Sequence, residues 1–356
     1  MTVRAVLSLV SVVFLSCAGT GPAPSPSQSP TRPKSIILMI ADGAGSSQFT
    51  AARMLRGAEF QTGRLPFTGL VATSPVADSI VADSAASATA YATGVTTNYR
   101  AVGVDAAGNP VPTLLQLAEQ IGKSTGLVTT TNFWDATPAS FAAHTPSRYQ
   151  TDVIIRQMLS SGAEIIIGGG AAYFGVEGRP ELEDVAATTG YALARTAAEL
   201  ESMEGERVLA VFPTEKLEVD FAEVRLPVLA RWAIDRLDRD PNGFFLMIEH
   251  EGPDGAAHAN DTAGFVASLL SFDEAVGVAL RYAATRDDVL LVVTGDHETG
   301  GLQIHRERGR EIELRWGTKG HTGEAVPIFA RGAGAEMFVG FLDGAEVGRR
   351  LQQLWR

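Results

Sequence analysis

The strongest constraint on the fold is a set of short apolar runs, most of them closed by a polar or acidic residue. Ser35-Ile36-Ile37-Leu38-Met39-Ile40 leads to Asp42, Phe244–Ile248 to Glu249, and Val289–Thr294 through Gly295 to Asp296 and His297. The run within Ser124–Thr131, around Gly126-Leu127-Val128, precedes Asp135 and Thr137. Glu164–Ile167 ends in Gly168-Gly169-Gly170, and Val326–Ala330 is a late run. Runs of this length read as strands buried on both faces. Helical patterns lie between them, among them Leu114–Gln120, Asp152–Ser160 and Pro227–Asp238. This alternation predicts an α/β three-layer sandwich: a central, mostly parallel sheet with helices on both faces. No internal repeat or second linker appears, so residues 35–356 read as one large domain.

In such a sheet, ligands sit beyond the carboxyl ends of the strands. The polar residues that follow the apolar runs are therefore the candidates for chemistry. Any one of them reads equally well as a cap or turn residue. Several acids gathered at one sheet edge repel one another unless cations neutralise them.

The segment Val81–Gly94 reads as a helix entered through two good cap residues, Asp83 and Ser84, and stopped by Gly94. A serine there sits among unpaired backbone N–H groups at the positive end of the helix dipole, which suits a phosphate. In Glu249-His250-Glu251-Gly252-Pro253-Asp254-Gly255-Ala256-Ala257-His258, the Asp and the last His stand four apart. On a helical turn they can point at one ion, and mixed imidazole and carboxylate donors suit zinc.

These motifs together resemble the alkaline phosphatases. Asp83-Ser84-Ala85-Ala86-Ser87-Ala88-Thr89-Ala90, followed by Thr93-Gly94, is similar to that family's nucleophile segment. The resemblance implies that Ser84 is phosphorylated during turnover. Glu249, Asp254 and His258 match a family spacing in which all three are metal ligands, the Glu on magnesium and the other two on one zinc. Thr294-Gly295-Asp296-His297-Glu298-Thr299-Gly300-Gly301 resembles the Asp-His pair that binds a second zinc together with the strand-end Asp, here Asp42. Gly320-His321-Thr322-Gly323 resembles the final His-Thr-Gly, which places His321 on the first zinc. Asp135-Ala136-Thr137-Pro138 and Ser147-Arg148 complete the pattern. It implies Thr137 on magnesium, Asp135 reaching that ion through water, and Arg148 gripping the phosphate through its guanidinium fork, oriented by Asp83.

The resemblance thus implies two zinc ions and one magnesium ion. The expected reaction is hydrolysis of small phosphate monoesters, with inorganic phosphate as product and inhibitor. Phosphodiesterases and sulfatases of the same superfold are one alternative. Sulfatases need a Cys or Ser in a Pro/Arg-containing motif, which Ser84 lacks. Diesterases often use Thr and lack the third metal. An inactive lipoprotein that binds phosphate or metal is another alternative, and it predicts a lost ligand or nucleophile.

The match has departures. Gly255 stands where many members place a side chain near the substrate. The stretch from His297 to His321 is short where some relatives insert a crown subdomain, which bears on the homodimer the family suggests. His250 and Glu251 take no transferred role. His144 reads as structural, and His305, beside Arg306–Glu311, as part of an exposed loop or hairpin.

The N-terminus reads as an export signal: Arg4, an apolar stretch Ala5–Leu15 too short to span a bilayer, and then Cys17, the sole cysteine. Phe14-Leu15-Ser16-Cys17-Ala18-Gly19 resembles a bacterial lipobox. Residues 1–17 are the expected signal, and 18–34, rich in Pro and Ser, a tether. A periplasmic or cell-surface location and a lipid anchor in a membrane follow as expectations, with a plain signal peptide cut just beyond as the alternative. No later apolar run reads as membrane-spanning. A formal net charge of −12 argues against a nucleic-acid-binding surface.

Overall fold

Strand formation follows the apolar runs, because alternate residues on each strand enter different helical layers. The computed structural model describes residues 32–56, 59–74, 76–175, 178–214, 216–220, 224–306 and 312–356. The expected signal with its lipobox-like Cys17, and tether residues 18–31, lie outside the described residues. The strands are β1 Ser35–Ala41, β2 Phe67–Ala72, β3 Ser124–Asn132, β4 Ile165–Gly169, β5 Tyr191–Ala194, β6 Arg207–Phe212 and β7 Phe244–His250. They continue with β8 Val289–Gly295, β9 Glu298–Thr299, β10 Leu302–Arg306, β11 Ile312–Trp316, β12 His321–Thr322, β13 Val326–Gly332 and β14 Gly340–Asp343. Among the described residues ten of them form one sheet, ordered β14-β2-β13-β8-β1-β7-β3-β4-β6-β5. Only β13 runs antiparallel to its neighbours, β2 and β8.

The helices are α1 Ser46–Arg56, α2 Ser84–Thr93, α3 Leu114–Gln120, α4 Ala136–Ala142, α5 Thr151–Leu159 and α6 Pro180–Thr188. They continue with α7 Ala197–Ser202, α8 Leu217–Asp220, α9 Leu226–Leu237, α10 Gly252–Ala259, α11 Thr262–Ala283 and α12 Gly344–Gln353. Ile36, Leu38 and Ile40 of β1 share one core with Ala85, Ala88 and Tyr91 of α2, Phe141 of α4 and Leu351 of α12. Ile37, Met39 and Ala41 share the opposite core with Phe49 of α1, Leu229 of α9 and Phe265 and Phe272 of α11. The three-layer sandwich is as expected.

Several bounds differ from the sequence reading. β7 runs on to His250, so Glu249 lies within the strand rather than after it. The cause is lateral: His250 C=O accepts the Asp42 N–H at 3.0 Å, which carries the ladder past the last apolar residue. The sequence reading did not resolve the outer strands β2, β5, β6 and β14. It also anticipated no further run of membrane-spanning length. α11 has 22 residues and a window of mean hydropathy 1.5, which meets that criterion by length and composition. However, 67% of that window is buried inside the fold, as in a core helix. The expected hairpin near His305 is β10–β11, with residues 307–311 outside the described ones.

The register brings the strand ends together. Ile40 on β1 pairs with Glu249 on β7 and with Thr294 on β8. Asp42 and Asp296 therefore emerge side by side, with Glu249 one strand away.

Candidate active site

The turn after β1 shapes the floor of the site. Gly43 has φ +70°, and a Cβ there would lie 2.7 Å from Asp254 Cα. Its N–H donates to Asp296 Oδ1 at 3.0 Å, as does that of His297 at 2.9 Å. Asp296 Oδ2 and Asp42 Oδ1 are buried without a hydrogen-bond partner. They lie 3.2 and 3.4 Å from His297 Nε2, respectively. Donor atoms of Asp42, Asp296 and His297 fall within 4.8 Å of one another. A second group with the same spacing is Asp254, His297 and His321.

His258 lies outside that second tight group but close by. The four-residue spacing on α10 sets its Nε2 3.2 Å from Asp254 Oδ2, and also 3.2 Å from His321 Nε2. His321 is positioned by the β9–β12 ladder, where it pairs with Thr299, and its ring stacks on His297 at 3.6 Å. Its Nδ1 lies 3.0 Å from Ala82 C=O, while His258 Nδ1 lies 2.5 Å from Lys319 C=O. In each imidazole the backbone partner leaves Nε2 facing the cluster.

α2 begins at the edge of this cluster. Asp83 is its N-cap and accepts the Ala86 N–H at 3.2 Å. Ser84, 4% exposed, places Oγ 3.2 Å from His297 Nε2. The Arg148 fork is held by two carboxylates: Asp83 Oδ2 at 3.3 Å and Asp135 Oδ1 at 2.8 Å. Glu249 Oε2 accepts the Thr129 hydroxyl at 2.6 Å, and the buried Thr137 Oγ1 faces Glu249 but makes no well-formed hydrogen bond among the described residues.

The electrostatics follow from burial. Asp42 is pushed well above the usual carboxylate range by burial and then by Asp296 and Asp254. Burial takes Glu249 to about 8, with the Thr129 hydroxyl opposing. Burial followed by the Asp254 charge takes Asp296 to about 6. His297 is pushed down to about 4 by burial, so it is a neutral donor at neutral pH. Asp254 goes the other way: burial would raise it, but the His258 bond and the surrounding imidazoles hold it below the usual range. The same bond raises His258 to about 9. Acids this strongly desolvated, with Asp42 Oδ1 and Asp296 Oδ2 lacking hydrogen-bond partners beside the neutral His297 imidazole, fit cation binding.

A family model described as alkaline phosphatase matches residues 33–313, well over half of the chain. The chain belongs to the alkaline phosphatase family. It is 34% identical over 304 residues to alkaline phosphatase 4 of Bacillus subtilis, covering 80% of this chain and 64% of that one. It is 33% identical over 321 residues to the repressible alkaline phosphatase of Saccharomyces cerevisiae, covering 77% and 56%. The chain therefore spans less than two thirds of the length of these two relatives. Among solved structures, an alkaline phosphatase mutant from TAB5 with Mg bound in its M3 site superposes with a TM-score of 0.84. That match has 29% identity and covers 92% of this chain and 99% of that one.

Within this family member, the residues singled out from sequence converge on one end of the sheet. The sequence reading missed their supports. Thr129, Thr130 and Thr131 at the end of β3 hold, in turn, Glu249, the His250 ring with the Glu251 N–H, and Asp135. Thr299 Oγ1 donates to Asp254 Oδ1 at 2.5 Å and lies 3.2 Å from His297 Nδ1, bridging the two clusters. Glu298, fully buried, accepts the N–H groups of Gly301 and Leu302 and bonds Gln48 and Thr322. Three hydroxyls closing an apolar strand were the available signal for the threonines. His250 pairs with Glu218 at 3.2 Å, and His144 lies 2.6 Å from Gly103 C=O, away from the cluster.

Proposed function

We propose that this chain hydrolyses phosphate monoesters through a phosphoserine at Ser84. The observation that carries the reading is Ser84 Oγ at the start of α2, 3.2 Å from His297 Nε2 and beside the carboxylate-held Arg148. Ser84 Oγ forms the bond to phosphorus as the ester P–O bond breaks, and the alcohol leaves with a proton. Water then attacks the phosphoserine, releasing inorganic phosphate and restoring the hydroxyl. Arg148, fixed by Asp83 and Asp135, binds two phosphate oxygens through its fork, and the first-turn N–H groups of α2 add partial positive charge.

Asp42, Asp296 and His297 would hold one zinc ion, and Asp254, His258 and His321 a second. Asp42, Thr137 and Glu249 would hold magnesium, with Asp135 nearby. When bound, these cations supply the charge that favours a serine alkoxide, a departing oxygen and a reactive water. A magnesium-bound neighbour of the same fold supports the third site.

The test compares turnover of an aryl phosphate monoester and the matching diester, with acid-quenched samples searched for a phosphorylated Ser84 peptide. Preferred monoester turnover, inhibition by inorganic phosphate and the labelled peptide are expected. Preferred diester turnover, or full activity without the label, would overturn the reading. We also propose export and lipid attachment at Cys17, on the strength of the Leu15-Ser16-Cys17 segment. Fatty-acid labelling that is absent from the wild type, or unchanged in Cys17→Ser, would reject the anchor. A homodimer is tested by the mass of the purified protein in solution.

A further inference from the structure

Among the described residues, two that are not glycine have positive φ: Asn260, which ends α10, and Arg100, at +66°. Asparagine is at home there, but arginine is not. Arg100 is the third residue of the turn Asn98–Ala101, closed by the Ala101 N–H donating to Asn98 C=O at 3.1 Å. A positive φ at that place ordinarily selects glycine, so this side chain is carried at the expense of backbone strain.

The turn is fastened to the residues proposed to grip phosphate. The Arg100 N–H donates to Asp83 Oδ1 at 2.9 Å, and its C=O accepts the Arg148 N–H at 2.8 Å. The Tyr99 N–H donates to Asp78 Oδ1 at 2.6 Å. The Arg100 side chain is exposed, with its guanidinium carbon 5.0 Å from the Tyr99 ring centroid and 5.2 Å from that of Tyr149. Both lie within cation–π range, and Tyr149 follows Arg148 directly. Stacking uses the faces of the guanidinium and leaves its N–H edges free. Among the described residues the Arg100 side chain makes no hydrogen bond or ion pair. In a chain of net charge −12, this braced guanidinium, on a turn fastened to Asp83 and to the Arg148 backbone, has no anionic partner among the described residues.

We propose that Arg100 is a specificity-determining residue that receives a second oxyanion carried on the alcohol part of the phosphate ester. The proposal rests on the phosphomonoesterase reading above. On this reading, the alcohol portion of an ester whose phosphate is on Arg148 reaches the turn, where the exposed Arg100 guanidinium lies beside Tyr99 and Tyr149.

The test uses the full chain supplied with zinc and magnesium, and two esters: glycerol 2-phosphate, with an uncharged alcohol, and 3-phosphoglycerate, with a carboxylate. R100G is expected to lower kcat/KM for the carboxylate ester about tenfold more than for the uncharged one, mainly through KM, as loss of one charge-assisted contact does. Added salt should shrink the wild-type preference. The R100G melting temperature should not fall, because glycine relaxes the turn. R100K, which keeps charge but loses the fork, should give an intermediate ratio. An unchanged ratio in both variants, with the wild type active, overturns the proposal alone. A wild type that turns over neither ester overturns the phosphatase reading and this proposal with it.

Discussion

Asp83 joins three structures at once: it caps α2, takes the Arg100 N–H, and faces the Arg148 guanidinium. Asp83→Asn keeps a cap but removes the charge, leaving Asp135 alone to hold the fork. A higher KM for an aryl phosphate, with little change in melting temperature, is expected. Asp83→Ala removes the cap as well and should cost about 1 kcal/mol of stability in denaturant titration. Ser84→Ala should lower kcat by at least about a hundredfold while bound metal stays near normal, since Ser84 is not among the carboxylate and imidazole donors. Wild-type turnover in that variant would remove Ser84 as nucleophile. Thr299→Val tests a support that the sequence motif contained but did not reveal. Losing the hydroxyl to Asp254 should weaken metal binding by about 10- to 100-fold, the usual effect of a group that orients a ligand. Metal titration of the variant against wild type checks this, and equal affinity would assign Thr299 a packing role.

At the scale of elements, the strand ends were legible because a buried parallel strand announces itself by its apolar run, and chemistry follows where the run stops. Asp42, Asp296 and His297 were found in this way. The four-residue spacing of Asp254 and His258 was legible because α10 is a regular helix there. Less legible were features set by neighbours rather than by local pattern. β7 extends through Glu249 because β1 and the β3 threonines hold it. The edge strands β5 and β14, four residues each, are too short to show a period. The two carboxylates on Arg148 come from separate elements, and only the Asp83 contact was anticipated. Gly43 is the sharpest test of the β1–α1 turn. In Gly43→Ala a Cβ must enter at φ +70° and press on the Asp254 backbone. Destabilisation of about 1–3 kcal/mol is expected from the strain, together with loss of metal affinity as Asp254 is displaced. A variant with unchanged stability and metal content would show that the turn can relax.

For the whole molecule, the site opposes the fold until it is neutralised. Without cations, a carboxyl whose native pKa is raised keeps its proton more tightly when folded. The stability it contributes is complete below its unfolded value and drains as pH rises through its folded one. Glu249, ordinarily 4.5, is raised to about 8 and therefore loses its share up to that pH. His258, ordinarily 6.5 and raised to about 9 by Asp254, has the same sign: its share is full below 6.5 and lost through 9. His297, lowered to about 4 by burial, acts in the opposite sense, but only below 6.5, because above that it is neutral in both states. Between pH 6.5 and 8 the shifts of Glu249 and His258 therefore act together, and from 8 to 9 that of His258 continues alone, so chelator-treated protein should melt at progressively lower temperature. Cations reverse the balance, because they bind deprotonated ligands and stabilise the native state by mass action. The only cysteine is Cys17, so no disulfide within the chain offsets their loss. The gap in melting temperature between zinc- and magnesium-loaded and chelated protein should therefore widen steadily from pH 6.5 to 9. Scanning calorimetry of both forms, with metal content measured on the same samples, checks this. A constant gap, or metal-free protein that grows more stable over that range, would mean that the buried acids are not the ligands.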